Sequence, residues 1–177
     1  IAHPHAQIFA ANIIPNQIVR EMNGAEQYFI NNGKNVFEDL IFHEKKEKDR
    51  IIAENDEFIA FTFYAARFPF EVWVLPKEPS AHFEDTSETF IHSLGQIMKD
   101  VMSRYARVLK QPALNFFLHD LPDSVKNSEF FRWHIEIAPR LGTYGGYELG
   151  SGVVVDVMSP EEAAKYLRQS QITRKTS

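Results

Sequence analysis

A succession of short β-forming segments, each followed by turn-forming residues, constrains the fold of this chain more than any other feature. Three such segments, residues 51–53, 57–64 and 70–75, follow one another with only Asn55-Asp56 and a five-residue link between them. Neighbouring strands joined by short turns pair antiparallel, so this region is predicted to form a meander. Further strands are predicted at residues 3–10, 114–119, 131–138 and 147–157.

Helical patterns lie between and after these strands. A helix is predicted from about Pro15 to about Gly33, because apolar residues recur every three or four positions, at Ile18, Met22, Ala25 and Phe29. Asp85 and Glu88 form a predicted capping pair for a long helix with a buried stripe of Phe90, Leu94, Ile97, Val101, Tyr105 and Val108. Ser159 is the predicted N-cap of a last helix. Strands outnumber helices, so the sequence predicts an α+β domain, an antiparallel sheet flanked by helices.

The charge balance of the chain narrows the classes of partner. The 19 Lys+Arg and 24 Asp+Glu give a formal net charge of -5, which argues against binding to nucleic acid or to an anionic membrane. Neither a membrane-spanning stretch nor a signal-peptide pattern is visible, so a cytoplasmic protein is predicted. The charged run at residues 43–50 is interpreted as a solvated helix face or loop. Because the chain has no cysteine, any metal site must use His, Asp or Glu.

The segment His3-Pro4-His5-Ala6-Gln7 is the sharpest candidate for chemistry. In an extended strand, side chains alternate between faces, so His3, His5 and Gln7 are predicted to share one face. Proline cannot donate to a sheet ladder and therefore favours a strand end or edge, from which imidazoles can reach a ligand.

A second polar alternation occurs at residues 131–137, where Arg132, His134 and Glu136 alternate with apolar residues, and His119 ends another apolar strand. Two classes of site fit these residues. His5 could act as a nucleophile that forms a covalent phosphohistidine, with Gln7 holding a phosphoryl oxygen. Alternatively, the imidazoles and the carboxylate could be ligands of zinc, iron or manganese. The spacing alone leaves both open, and it equally leaves open a strand with one solvated face.

Several segments, in this order along the chain, together resemble a known family. They are His3-Pro4-His5-Ala6-Gln7, Ala65-Ala66-Arg67-Phe68-Pro69-Phe70-Glu71, Leu75-Pro76-Lys77, Gly146-Tyr147-Glu148 and Pro160-Glu161-Glu162-Ala163-Ala164. They are similar to the C-terminal half of galactose-1-phosphate uridylyltransferases and related sugar-1-phosphate nucleotidylyltransferases, including the ADP-glucose phosphorylase type. That family belongs to the histidine-triad superfamily. The resemblance implies a histidine-triad-like domain over residues 1–168, followed by a flexible tail over residues 169–177.

The resemblance implies a covalent transfer reaction. His5 would attack the α-phosphorus of a nucleotide sugar, expel the sugar 1-phosphate, and pass the nucleotidyl group to a second phosphate. Gln7 would contact the phosphoryl group, and its presence favours transfer over hydrolysis. The expected activity is that of a hexose-1-phosphate uridylyltransferase. Two alternatives stand beside it: a nucleotide-sugar phosphorylase or hydrolase with the same nucleophile, and a nucleotide-binding or dimerisation half without activity of its own.

The resemblance also implies metal sites. His3 corresponds to a zinc ligand whose partners lie upstream in the family, so they would come from outside this chain. A second zinc or iron site in some uridylyltransferases matches Glu21, His119, His134 and Glu136, although one of the family's histidines is Glu136 here. A hydrogen-bonded buried polar cluster is the alternative interpretation of these residues.

The remaining implied contacts are to the sugar and to other protein. Gly145, Gly146, Tyr147 and Glu148 match the segment that binds the sugar hydroxyls in uridylyltransferases, where it is supplied across a dimer interface. The expected partners are therefore a nucleotide sugar, a hexose 1-phosphate, a missing N-terminal half and a second copy in a homodimer. The role of Arg132 is open between binding phosphate and capping a carboxylate.

Overall fold

The computed structural model describes residues 13–110, 112–125 and 129–169. The predicted strand at residues 3–10, with His3, His5 and Gln7, lies outside the described residues, as does most of the predicted tail. None of the helices in the described ranges is long and apolar enough to cross a lipid bilayer.

Within the described ranges, one antiparallel sheet of five strands forms the centre of the domain. Its strands are β1 (Ile51–Glu54), β2 (Phe58–Thr62), β3 (Val72–Pro76), β4 (Leu114–His119) and β5 (His134–Pro139). They lie in the order β1-β2-β3-β5-β4, and each neighbouring pair is antiparallel. The predicted meander and the predicted α+β class are confirmed. The pairings Trp73 with Glu136 and His119 with His134 later determine the geometry of the site.

The helices are α1 (Asn16–Asn32), α2 (Val36–Glu47), α3 (Glu88–Val108), α4 (Gly146–Ser151) and α5 (Pro160–Gln169), with a 3₁₀ turn at Phe83–Asp85. Helix α1 has its predicted extent and ends at Gly33, whose positive φ of 64° suits glycine. The predicted cap of α5 is also confirmed, because Ser159 Oγ accepts the N–H of Glu162 at 3.2 Å.

Three predictions about local structure are wrong. Ser87, rather than Asp85, caps α3, since its side chain accepts the N–H of Phe90 at 3.3 Å. Residues 147–157 do not form a strand, because Gly145 and Gly152 delimit the short helix α4. The charged run at residues 43–50 is not wholly solvated: Glu44 is fully buried on α2 and pairs with Arg50 at 3.0 Å.

Both faces of the sheet are covered by helices. Alternate residues of β2, β3 and β5 pack with α3 and α5 into one apolar cluster, which includes Trp133, Ile135 and Ile137. The opposite face packs against α1 and α2 through Ala25 and Phe37. All six residues of β5 are consequently buried, so the polar face predicted for this strand lies under helices rather than in solvent.

Candidate metal centre

Three elements bring four ligand-type side chains together on the α1 side of the sheet. Glu21 comes from α1, His119 is the last residue of β4, and His134 and Glu136 come from β5. Residues two apart on a strand share a face, and the β4–β5 register places His119 directly opposite His134. The four candidate ligands predicted at this position are therefore adjacent, with ligand atoms all within 4.8 Å of one another.

Glu21 contacts both histidines. Its Oε2 lies 2.7 Å from Nδ1 of His119, and its Oε1 lies 3.2 Å from Nε2 of His134. Oε1 of Glu136 completes the group, at 3.6 Å from Nδ1 of His119 and 3.9 Å from Nε2 of His134. The group thus presents two imidazole nitrogens and two carboxylates to a common point.

The tautomer of His134 is set by its surroundings. Its Nδ1 lies 3.1 Å from the backbone carbonyl oxygen of Arg132, which can only accept, so Nδ1 carries the proton and donates it. Nε2 is then left with a lone pair directed at Glu21. Trp73 stacks on the same ring, with centroids 4.5 Å apart and planes 18° apart, and holds it in this orientation.

Two buried acceptors face one another as a result. Among the described residues, neither Nε2 of His134 nor Oε1 of Glu21 has a hydrogen-bond partner. Buried polar atoms are normally satisfied, and a cation between a lone-pair nitrogen and a carboxylate oxygen would satisfy both. This pair of atoms is the observation that fits the residues to a metal ion.

The two histidines of the group differ in the direction in which their pKa is shifted. Burial lowers the pKa of His134 to about 4, so this ring is neutral at physiological pH. Burial also disfavours charge on His119, but the hydrogen bond to Glu21 and the nearby Glu136 together raise its pKa. Burial opposes ionisation of Glu21 as well, yet His119 and His134 lower its pKa overall. Glu21 and His119 therefore each favour the charged form of the other, beside a neutral imidazole of His134 suited to metal ligation.

Sequence reasoning missed the residues that surround Glu136. Arg67, in the link between β2 and β3, donates from Nη2 to Oε2 of Glu136. Glu71 in turn accepts from Arg67 and from Nε1 of Trp73, at 3.2 and 2.9 Å. Two charged residues beside an apolar strand were the available signal, because buried charges require partners.

Arg132 does not belong to this centre. Its Nη1 donates to the backbone carbonyl oxygens of Pro76 and Lys77, at 2.9 and 2.6 Å, and Nη2 lies 3.5 Å from Glu38. Among the described residues, neither Nε nor Nη2 of Arg132 has a hydrogen-bond partner, so these contacts assign Arg132 neither of its two predicted roles. Its backbone carbonyl, rather than its side chain, acts on the centre through His134.

The segment predicted to bind sugar hydroxyls lies on the surface. Gly145 precedes α4, and Gly146, Tyr147 and Glu148 form its first turn rather than the start of a strand. Tyr147 is 63% exposed, and Oε2 of Glu148 accepts the N–H of Gly145 at 2.9 Å. Neighbouring Tyr144 stacks on Phe68, the residue after Arg67, with centroids 6.0 Å apart.

A second group of ligand-type residues consists of His82, Glu84 and Asp120, of which Asp120 has a structural role. Oδ1 of Asp120 accepts the N–H groups of Phe83 and Leu121, both at 3.1 Å, and so caps the 3₁₀ turn. Glu84 extends into solvent, with 59% of its side chain exposed.

The fold and the four-residue centre define a class: a histidine-triad-like α+β domain with a candidate metal site. A histidine-triad-like protein from Bartonella henselae shares the fold at 18% identity, with a TM-score of 0.53 over 73% of this chain and 94% of that one.

The family is shown by closer matches. The galactose-1-phosphate uridyl transferase C-terminal domain model matches residues 21–141, more than half of the chain. An ADP-glucose phosphorylase from Arabidopsis thaliana is 30% identical over 98% of this chain and 48% of its own length. A galactose-1-phosphate uridylyltransferase from Thermotoga maritima is 25% identical over 97% of this chain and 56% of its own. The chain belongs to the galactose-1-phosphate uridylyltransferase family and matches its C-terminal domain.

The solved structures agree with this placement. The crystal structure of the Arabidopsis thaliana ADP-glucose phosphorylase with bound ADP-glucose is 30% identical, with a TM-score of 0.81 over 89% of this chain and 50% of that one. The chain thus spans about half the length of the relatives it matches.

Proposed function

We propose that this chain is the C-terminal half of an enzyme that transfers a nucleoside monophosphate from a nucleotide sugar to a second phosphate, through a covalent bond to His5. The observation that carries the proposal is the match over 98% of the chain, at 30% identity, to an ADP-glucose phosphorylase. Membership of the uridylyltransferase family supports the same reaction type. The His-Pro-His-Ala-Gln segment supplies the nucleophile.

The reaction has two displacements. A lone-pair nitrogen of His5 attacks the α-phosphorus of the nucleotide sugar, a phosphorus–nitrogen bond forms, and the sugar 1-phosphate leaves with the electron pair of the broken phosphorus–oxygen bond. An oxygen of the acceptor phosphate then attacks the same phosphorus and releases the imidazole. The amide of Gln7 donates to the phosphoryl oxygens without changing its own protonation.

The described residues have supporting roles in this proposal. Glu21, His119, His134 and Glu136 would hold a zinc or iron ion, which supplies a strong cross-link between α1 and the β4–β5 pair. Helix α1 follows directly on the segment that contains His5, so its position on the sheet bears on where the nucleophile lies. His3 would bind a zinc ion with ligands from outside this chain. Glycines 145 and 146, with Tyr147 and Glu148, would contact the sugar.

Assembly with other protein is part of the proposal. The apolar residues Phe116, Phe117 and Leu118 are 42–58% exposed on β4, which is at the edge of the sheet formed by the described residues. Exposed apolar edges favour burial against another chain or domain. We propose an N-terminal half and a second copy in a homodimer as the partners that complete the enzyme.

The acceptor decides between two forms of this activity. Hexose 1-phosphate would make the enzyme a uridylyltransferase, whereas inorganic phosphate would make it a phosphorylase, which the match to the Arabidopsis thaliana protein favours. We would incubate the natural full-length protein with UDP-glucose, UDP-galactose or ADP-glucose and each acceptor, and identify products by ³¹P nuclear magnetic resonance.

Release of a nucleoside diphosphate with phosphate, or of a new nucleotide sugar with hexose 1-phosphate, is the expected result. The variant His5→Gly should form neither, whereas His92→Gln, which changes an exposed histidine on α3, should match the wild type. Equal turnover by His5→Gly would contradict the proposal. Binding of a nucleotide sugar without turnover by any protein would favour the binding-half alternative.

A further inference from the structure

The two oxygens of the Glu136 carboxylate have different neighbours, and Arg67 is one of them. Nη2 of Arg67 donates to Oε2 of Glu136. Oε1 of the same carboxylate faces His119 and His134, with nitrogen–oxygen distances of 3.6 and 3.9 Å. One oxygen is therefore directed into the centre while the other is committed to a guanidinium.

The position of Arg67 is fixed by Glu71. The two oxygens of Glu71 accept the backbone N–H of Arg67 at 2.7 Å and its Nη2 at 3.2 Å. Nε1 of Trp73 donates to the same carboxylate at 2.9 Å. Glu71 is only 1% exposed, and Trp73 stacks on His134, so the anchor of Arg67 is packed against the centre itself.

The charges around Arg67 determine how this arrangement affects metal binding. Glu71 and Glu136 are buried and Glu21 is half-buried, and all three lie around Arg67. An arginine carries a permanent positive charge, whereas a buried carboxylate without a cation is costly. A guanidinium and a divalent metal ion would compensate the same carboxylate, Glu136, from its two sides.

We propose that Arg67 is a built-in counter-ion of the metal centre, which holds Glu136 in place without an ion and thereby weakens the affinity of the centre for divalent metal. This inference rests on the metal site named under the proposed function. It differs from the usual role of an outer-shell residue, which orients a ligand and strengthens metal binding. The two roles predict opposite effects of removing Arg67.

The test is metal affinity, measured on the natural full-length protein by competition with a chromophoric chelator, using Zn²⁺ and Co²⁺ separately. Arg67→Gln should bind both ions roughly tenfold more tightly than the wild type, because Glu136 then lacks the charge that compensates it without metal. The rise in melting temperature on adding metal should also be larger in this variant. Arg67→Lys keeps the charge and should stay within about threefold of the wild type.

A matched control comes from another arginine that pairs with a buried carboxylate. Arg50 is 20% exposed and contacts the fully buried Glu44, compared with 31% exposure for Arg67 beside Glu136. Arg50→Gln should destabilise the protein without changing metal affinity. This variant separates loss of any buried ion pair from loss of the pair at the centre.

The outcomes separate the inference from the metal site. Unchanged or weaker binding by Arg67→Gln, when the wild type binds, overturns the inference alone. Binding by Arg67→Gln where the wild type has none supports it, and folding of this variant only in the presence of metal does so too. If Arg67→Gln does not fold at all, the double variant Arg67→Gln/Glu136→Gln is compared with Glu136→Gln alone. The effect of Arg67 on metal affinity should then fall below about threefold. Absence of metal binding by every protein overturns both the site and the inference.

Discussion

His134 shows how a single buried side chain is prepared for ligation. The carbonyl oxygen of Arg132 accepts a hydrogen bond from its Nδ1–H, and the stacked ring of Trp73 fixes its plane. Its remaining nitrogen lone pair points at a carboxylate oxygen of Glu21 at 3.2 Å. The neutral form of the ring is thus favoured before any ion arrives.

The stability of the metal-free protein should fall as the pH is lowered from about 6.5 towards 4. The pKa of His134 is about 4 in the folded protein because of burial, compared with an ordinary value of 6.5. Between these values the unfolded chain binds more protons than the folded one, so protonation favours unfolding. For a fully buried ring the contribution is on the order of 3 kcal/mol. His119, whose pKa is raised by Glu21, opposes this trend, since it stabilises the fold at low pH and loses that contribution as the pH rises.

Chemical denaturation at a series of pH values, with a chelator present, measures this effect. His134→Gln should show a shallower loss of stability with acid than the wild type, and His92→Gln, at an exposed position, should not differ from it. An equally steep loss in His134→Gln would show that other groups control the acid limb.

At the scale of elements, an N-cap hydrogen bond determines where helix α3 begins. Ser87 accepts the N–H of Phe90 at the start of α3, and the 3₁₀ turn just before it contains Asp85. Helix α3 supplies Leu94, Ile97 and Val101 to the larger apolar cluster, so fraying at its start loosens the core under the sheet.

Ser87→Ala should therefore lower the free energy of unfolding by about 1 kcal/mol, the usual cost of losing an N-cap. Asp85→Ala, at the position that the sequence pattern had predicted as the cap, should change it by less than about 0.5 kcal/mol. Equilibrium unfolding in urea measures both. A larger effect of Asp85→Ala than of Ser87→Ala would contradict the observed cap.

The elements that sequence analysis predicted well are those with a strong local period. The β1–β3 meander, α1 and α3 follow from alternation or from apolar residues three to four apart. The sequence predicts a strand over residues 147–157 because Tyr147, Leu149 and nearby valines are β-forming, yet Gly145 and Gly152 delimit a short helix over residues 146–151. The interpretation of residues 43–50 missed the burial of Glu44, because the packing of α2 that buries it beside Arg50 is visible only in the fold.

At the scale of the whole molecule, the resemblance named the four ligands, but only the topology brought them together. Glu21 and His119 are far apart in the sequence, and the contact between them requires α1 to pack across the β4–β5 pair. Arg67 and Glu71 could not be assigned to the site from the sequence, because only the fold brings Arg67 into contact with both Glu71 and the carboxylate of Glu136. The candidate metal centre is thus an assembly of three separate parts of the domain.

The central claim of the proposed function is the covalent intermediate on His5. The most direct measurement is the intact mass of the natural full-length protein after incubation with UDP-glucose, UDP-galactose or ADP-glucose, without an acceptor. The account predicts a gain of one nucleoside monophosphate that is labile to acid, is lost on adding acceptor phosphate, and is absent in His5→Gly. The same gain in His5→Gly, or no gain with any donor in folded, metal-loaded protein, would contradict it.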